Sequence, residues 1–264
     1  MMDVILQSIN ACVTFGGLKA VNQVNMTVNK GDVFGIIGPN GAGKTTFFNA
    51  CSGVHSLTSG QIIFNGEDVT KLPPEMIARK GLARTFQNIK LFKFMTVLEN
   101  VRTGFHIRTK SSIGSAMLNN KIFHNDEKLA SEEGLLLLEK MGLSAYAKTL
   151  ANNLPYGIQR KVEIARALAL QPEMLMLDEP AAGMNPNETR DLSEFILHLH
   201  EEGYTIVVIE HDMKFVMNTC NRVLVLNFGK NICEGTPEEV RNNKDVCEAY
   251  FGKEFAAEGG EENA

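Results

Sequence analysis

Residues 38–46, GPNGAGKTT, fit the pattern G-x-x-x-x-G-K-[ST] with no position missing. Glycines at 38, 41 and 43 let backbone N–H groups come close to anionic oxygens, and the helix expected next turns its positive N-terminal end toward them. The chemistry is that of a phosphate cradle, with Pro39, Asn40, Ala42 and Thr46 completing the loop. Lys44 is suited to bridge terminal phosphate oxygens as a point charge, and the Thr45 hydroxyl to complete the shell of a Mg²⁺ ion. Farther along, four apolar residues at 174–177 end in Asp178-Glu179-Pro180, the pattern of a buried parallel strand that delivers carboxylates at its C-terminal edge. Asp178 there is suited to hold Mg²⁺ through water, and Glu179 to polarise an attacking water. Paired acids ending a strand are often only solvated, but a phosphate loop in the same chain favours the chemical reading. A third strand at 205–209 ends in Glu210-His211-Asp212. A loop histidine is usually structural, yet one at a strand's carboxyl end beside the same cleft can donate to a γ-phosphate.

Positioning these groups requires an α/β framework. The apolar run at 33–37 directly before the loop reads as its central strand, preceded by two β-branched stretches at 4–15 and 21–28 that would form a small antiparallel layer. Phe15-Gly16-Gly17-Leu18 lies between those two, and Phe15 fits either a loop anchor packed into the core or a platform on which a purine stacks. Ser59-Gly60 and Asn65-Gly66 flank an apolar run and predict a hairpin arm. Pro73-Pro74 open a short helix to Lys80, Gly81 closes it, and a strand is expected over 82–86. Gln87 follows at once, at the strand end where open α/β sheets bind ligands, although a glutamine in a surface loop is usually just solvated.

Residues 96–154 change to a helical pattern, with Thr96 starting one helix and Ser131 expected to cap another over 132–141. The stretch 110–125 between them is polar and weakly periodic. A hairpin is expected from 222–227 and 231–234 around Phe228-Gly229-Lys230, then a helix starting at Pro237, and the end of the chain from Glu254 reads as an acidic tail.

Composition narrows the setting. With 26 basic and 31 acidic side chains the net charge is −5, which argues against a broad nucleic-acid surface, so no nucleic-acid partner is expected. Five cysteines without C-x-x-C spacing read as reduced, packed thiols and suit the cytosol. No secretory signal is apparent and no apolar run approaches the roughly 18 to 20 residues that a bilayer demands, so any membrane role is expected to be peripheral.

Taken in order, these motifs resemble the ATP-binding cassette ATPases over about residues 4–252. The resemblance implies a P-loop NTPase (RecA-like) α/β core with an antiparallel β layer and an inserted α-helical subdomain. It implies one domain over 1–252, with the core at approximately 1–88 and 160–252, the helical part at approximately 89–159, and a flexible acidic tail at 253–264. It makes Phe15 the adenine-stacking aromatic, residues 38–46 the binding loop for ATP with Mg²⁺, Asp178 and Glu179 the acidic pair, and His211 the switch histidine. Gln87 becomes the switch glutamine, counted with the catalytic residues and with Thr45 and Asp178 as metal-binding. The family's signature loop approximates L-S-G-G-Q, and LPYGIQ at 154–159 occupies its place, followed by VEIARAL at 162–168.

The lines GLARTFQNIKLF at 81–92, TVLENV at 96–101, EHDM at 210–213 and GTPEEVRNN at 235–243 are closest to the ATPases of branched-chain amino acid importers. Tyr156 is common in that group, whereas Pro155 and Ile158 depart from the signature. Proline removes a hydroxyl and an N–H donor, which leaves Gly157 as the remaining donor to a γ-phosphate; one charge-assisted bond lost this way amounts to about 1.5–3 kcal/mol. In this family the signature of one chain completes the site of its partner, so the resemblance implies a second ATPase subunit, a heterodimer with unequal sites being favoured over a homodimer. It also implies two membrane permeases, indirectly a substrate-binding protein, and attachment to the inner face of the cell membrane. Leu91-Phe92-Lys93-Phe94-Met95 fits either a permease-docking surface or ordinary core. The competing assignments are another system of the family, for urea, amides, lipid or lipopolysaccharide, and a soluble assembly scaffold.

Overall fold

The computed structural model describes residues 3–107 and 121–251. The acidic tail and most of the polar stretch 110–125 lie outside the described residues. Two sheets form the body. In the first, β1 (Val4–Phe15), β2 (Leu18–Asn29), β4 (Ser59–Phe64) and β5 (Glu67–Asp68) run antiparallel in the order β2-β1-β4-β5. The second has the order β10-β9-β3-β8-β7-β6, where β3 (Val33–Ile37), β6 (Leu82–Arg84), β7 (Met174–Asp178), β8 (Thr205–Ile209) and β9 (Arg222–Asn227) are parallel and β10 (Lys230–Gly235) closes one edge antiparallel.

The central strands β3, β7 and β8 are buried along their whole length because both of their faces are covered. Leu175, Leu177, Ile206, Val208, Val223 and Val225 face α5 (Tyr156–Leu168), α6 (Pro186–Glu201) and α7 (Met213–Thr219). Phe34, Ile36, Met174, Met176, Val207 and Ile209 alternate to the other side, where they meet Phe47 and Phe48 of α1 (Lys44–Cys51) and the inner face of the antiparallel sheet. Helix starts are chemically specified. Thr96 with Glu99 and Asn185 with Glu188 form complete capping boxes, so the free N–H groups of α3 (Val97–Arg102) and α6 are met by side chains.

Three local expectations require correction. Ser131 does not begin a helix: α4 spans Lys121–Lys140, and the Ser131 hydroxyl donates back to the Glu127 carbonyl at 2.8 Å within it. Residues 121–125, read as part of a polar connector, therefore belong to this helix, and Arg102 reaches across from α3 to pair with its Glu127. Strand β6 stops at Arg84 rather than reaching 86, because the chain leaves the sheet edge after the Thr85 N–H has bonded to Met176.

The end of the loop between β6 and α3 is gathered by one polar residue. Asn100 has no exposed surface; its Oδ1 accepts the Phe92 N–H at 2.8 Å, and its Nδ2 faces the carbonyls of Phe92, Met95 and Thr96 at 3.0–3.3 Å. That grip holds Phe94 outward, 86% exposed. Asn100→Ala strands several backbone groups at once, and a loss of about 2–3 kcal/mol in urea denaturation is expected.

Candidate functional site

Strand β3 runs straight into the phosphate loop. Gly43, the N-cap of α1, adopts φ 93°, and a Cβ there would stand 2.2 Å from the Ala20 carbonyl oxygen, so β2 braces the loop too closely for any side chain. Gly38 is equally constrained, since a Cβ there would stand 2.1 Å from the Leu226 carbonyl oxygen. The N-terminus of α1 has no side-chain cap and no acid in its first turn, which leaves it suited to an anion. The Lys44 ammonium is buried and donates to the carbonyls of Gly38 at 2.6 Å and Pro39 at 3.1 Å. Burial pushes its pKa down, while the negative charges of Glu179 and Glu210 oppose the shift.

A cavity of about 380 Å³ opens over residues 40–46, so Asn40, Gly41, Ala42, Gly43, Lys44, Thr45 and Thr46 share one wall, with Glu179 on its lining. Pro39 lines an adjoining cavity on the outer side of the loop. The wall from β2 consists of Leu18, Lys19 and Ala20, and the aromatic at the rim is Phe228. Phe15, expected as the purine platform, is not part of that lining. It stands at the Gly16-Gly17 turn, half exposed, with its ring edge-on to His55 at 5.8 Å.

The acids end β7 as expected, but in unlike surroundings. Asp178 is 5% exposed, and its Oδ2 accepts from Arg84 Nη2 at 3.0 Å. Burial raises the Asp178 pKa and Glu179 adds to the rise, whereas Arg84 opposes both. Arg84 is itself fastened to Asn49 Oδ1 at 3.0 Å and Ser52 Oγ at 2.6 Å of α1, and it lies between the rings of Phe48 and Phe86. Glu179 takes a left-handed conformation, φ 43°, and its N–H donates to the Ile209 carbonyl at 2.9 Å. A bulky residue held at positive φ stores local strain, which clusters at functional positions.

Gln87 Nε2 donates to Glu179 Oε2 at 2.8 Å, and His211 Nδ1 lies 3.8 Å from the same oxygen. The structure therefore brings Gln87, Glu179 and His211 together beside Lys44. Gly157 is set apart at the start of α5, where Glu188 is its nearest neighbour. Tyr156 donates its hydroxyl to the Ala182 carbonyl at 3.1 Å, and Ile158 packs against the core.

Two functional side chains were not singled out in the sequence. Glu210 is wholly buried, and its carboxylate accepts N–H groups from Ala181 at 2.8 Å and His211 at 3.0 Å, tying the loop after Glu179 to the loop that carries the histidine. Burial raises its pKa; the two N–H groups oppose this. Arg84 is the other, and its only signal was an arginine inside an otherwise apolar strand. Among the described residues no group of three or more His, Cys, Asp or Glu side chains forms a metal cage. Thr45, Gln87 and Asp178 carry oxygen donors of the kind that Mg²⁺ takes, an ion bound chiefly through phosphate oxygens and water. Arg84→Met would leave the Asp178 carboxylate buried without its counter-charge. A loss of about 3 kcal/mol or more is expected in chemical denaturation of the nucleotide-free chain.

Residues 21–182 match the family profile described as ABC transporter, and residues 230–256 the one described as branched-chain amino acid ATP-binding cassette transporter. The chain is 46% identical over 240 residues to the high-affinity branched-chain amino acid transport ATP-binding protein LivG of Escherichia coli (strain K12), covering 90% of this chain and 94% of that protein. It is 44% identical over 250 residues to the corresponding protein BraF of Pseudomonas aeruginosa, covering 94% and 98%. Among solved structures, the ADP conformation of an ATP-binding cassette of an ABC transporter superposes with a TM-score of 0.82 at 35% identity, over 95% of this chain and 99% of the other. With a phosphate loop whose cavity Glu179 lines, and with Gln87 and His211 gathered on that carboxylate, the chain belongs to the ABC transporter family as an ATP-binding cassette with the P-loop NTPase fold.

Proposed function

We propose that this chain is the ATP-hydrolysing subunit of an importer for branched-chain amino acids, converting ATP-driven closure of two cassettes into permease motion. The observation that carries the chemistry is the Glu179 carboxylate, held by Gln87 with His211 alongside, on the wall of the cavity that Lys44 and the phosphate loop complete. The substrate class rests on the names of the relatives and on the C-terminal match over 230–256.

Loop amides of residues 40–45 and Lys44 bind the phosphates, and Phe15, half exposed beside Leu18, is the aromatic assigned to the adenine. Thr45, Gln87 and Asp178 would hold Mg²⁺, which would neutralise charge on the phosphate oxygens. Glu179 accepts a hydrogen bond from the attacking water and polarises it, Gln87 orients that carboxylate, and His211 donates toward the γ-phosphate. Glu179→Gln removes the basic oxygen but keeps the shape. ATP affinity is expected within about threefold of the original and turnover at least about a hundredfold lower, as read by nucleotide binding and phosphate release; an unaltered rate removes Glu179 from its role.

The partner is a second cassette subunit, and the two sites of the dimer are unequal. Pro155 offers neither hydroxyl nor N–H, and Ile158 turns into the core, so this chain's signature contributes Gly157 alone to the opposite site. Changing each subunit's phosphate-loop lysine to alanine separately in the assembled transporter is expected to give losses of turnover that differ by about tenfold or more, consistent with one charge-assisted bond; equal losses refute the asymmetry.

In this reading two separate permeases supply the channel and hold this subunit at the inner membrane face; no helix among the described residues is itself long and apolar enough to cross a membrane. The exposed Phe92 and Phe94 form the docking surface. Phe94→Ala is expected to uncouple ATP turnover from uptake in vesicles while nucleotide affinity stays unchanged; a fall in affinity instead assigns Phe94 to the fold.

A further inference from the structure

Among the described residues, Arg160, on α5, is the largest side chain with no exposed surface. A guanidinium remains charged in any protein environment, so its burial calls for partners. Its Nη1 donates to Glu163 Oε2 and to the Phe86 carbonyl, both at 2.8 Å, and Nη2 donates to the Gln87 carbonyl at 2.8 Å. Its Nε has no hydrogen-bond partner. Glu163, less than one turn farther on, uses its other oxygen to accept the Lys90 N–H at 3.0 Å, and Arg166 donates to the Lys90 carbonyl. One face of α5 thus meets four backbone groups of residues 86–90, a segment with no helix or strand to satisfy them.

A buried ion pair is weak as a stability device, since apolar side chains of the same volume pack at least as well. Its geometry is more informative. A planar fork that engages two successive carbonyls fixes the peptide between them, and so the direction in which the Gln87 side chain leaves the backbone. That side chain ends on Glu179, and α5 is also fastened through Tyr156 to Ala182, three residues beyond Glu179.

We infer that Arg160, locked by Glu163, is a positioning residue that sets the backbone at Gln87 and thereby the Gln87 hydrogen bond to Glu179. This deepens the ATPase assignment and rests on it. The signature helix then acts on its own chain's site as well as offering Gly157 to the partner's.

The test uses the assembled transporter carrying Arg160→Met together with Glu163→Gln, which removes the fork without stranding a charge. The kcat for ATP is expected to fall about tenfold or more, with nucleotide affinity within about threefold. In a Gln87→Ala background the same pair is expected to lower kcat by less than about twofold, because the contact it serves is already gone. Arg160→Lys, which keeps the charge but cannot span two carbonyls, is expected to lose turnover as well. Equal fold-losses in both backgrounds, full activity in Arg160→Lys, or a parallel loss of nucleotide affinity each overturn the inference. An unsubstituted transporter that hydrolyses no ATP overturns the ATPase assignment and the inference together, whereas an active one with additive losses overturns the inference alone.

Discussion

Everything at the site depends on the register of three parallel strands. Asp178 of β7 lies opposite Ile209 of β8, and Ile209 opposite Ile36 of β3. The phosphate loop, the acidic pair and the Glu210-His211 segment therefore leave the sheet at one level and on one edge, as parallel strands with crossover helices require. A slip of one residue would exchange the two faces of a strand and put apolar side chains where the carboxylates belong. The uninterrupted burial of β3, β7 and β8 makes such a slip very unfavourable.

Around that edge, buried charge is compensated locally. Asp178 has Arg84, and Arg84 in turn has two side chains of α1 and two aromatic faces. Glu210 has two backbone N–H groups. Arg160 and Glu163 have each other and the segment from 86 to 90. Each arrangement joins a strand end or loop of the site to a neighbouring element, so the catalytic geometry is carried by polar groups with very little water around them.

The sheet, the loop and the acidic strand end were legible because their residue types state their own chemistry: glycines beside a lysine, or acids after an apolar run. Cofactor-facing motifs are local in sequence. Arg84, Asn100, Glu163 and Glu210 were not recognised in their roles because each acts on backbone groups or charges brought to it by tertiary packing, and nothing adjacent in the chain announces them. Ser131 misled for a related reason: its hydroxyl can cap a helix or bond back into one, and contacts across α3 and α4, such as Arg102 with Glu127, support the longer helix.

The contact between Lys44 and the carbonyls of Gly38 and Pro39 bears on how nucleotide passes through this site. An arriving phosphate takes over a cation already engaged elsewhere, so entry is a swap of ligands and the gain is a difference between two sets of bonds. Departure runs the swap backwards: the ammonium returns to its own backbone and is never stranded in a dry pocket.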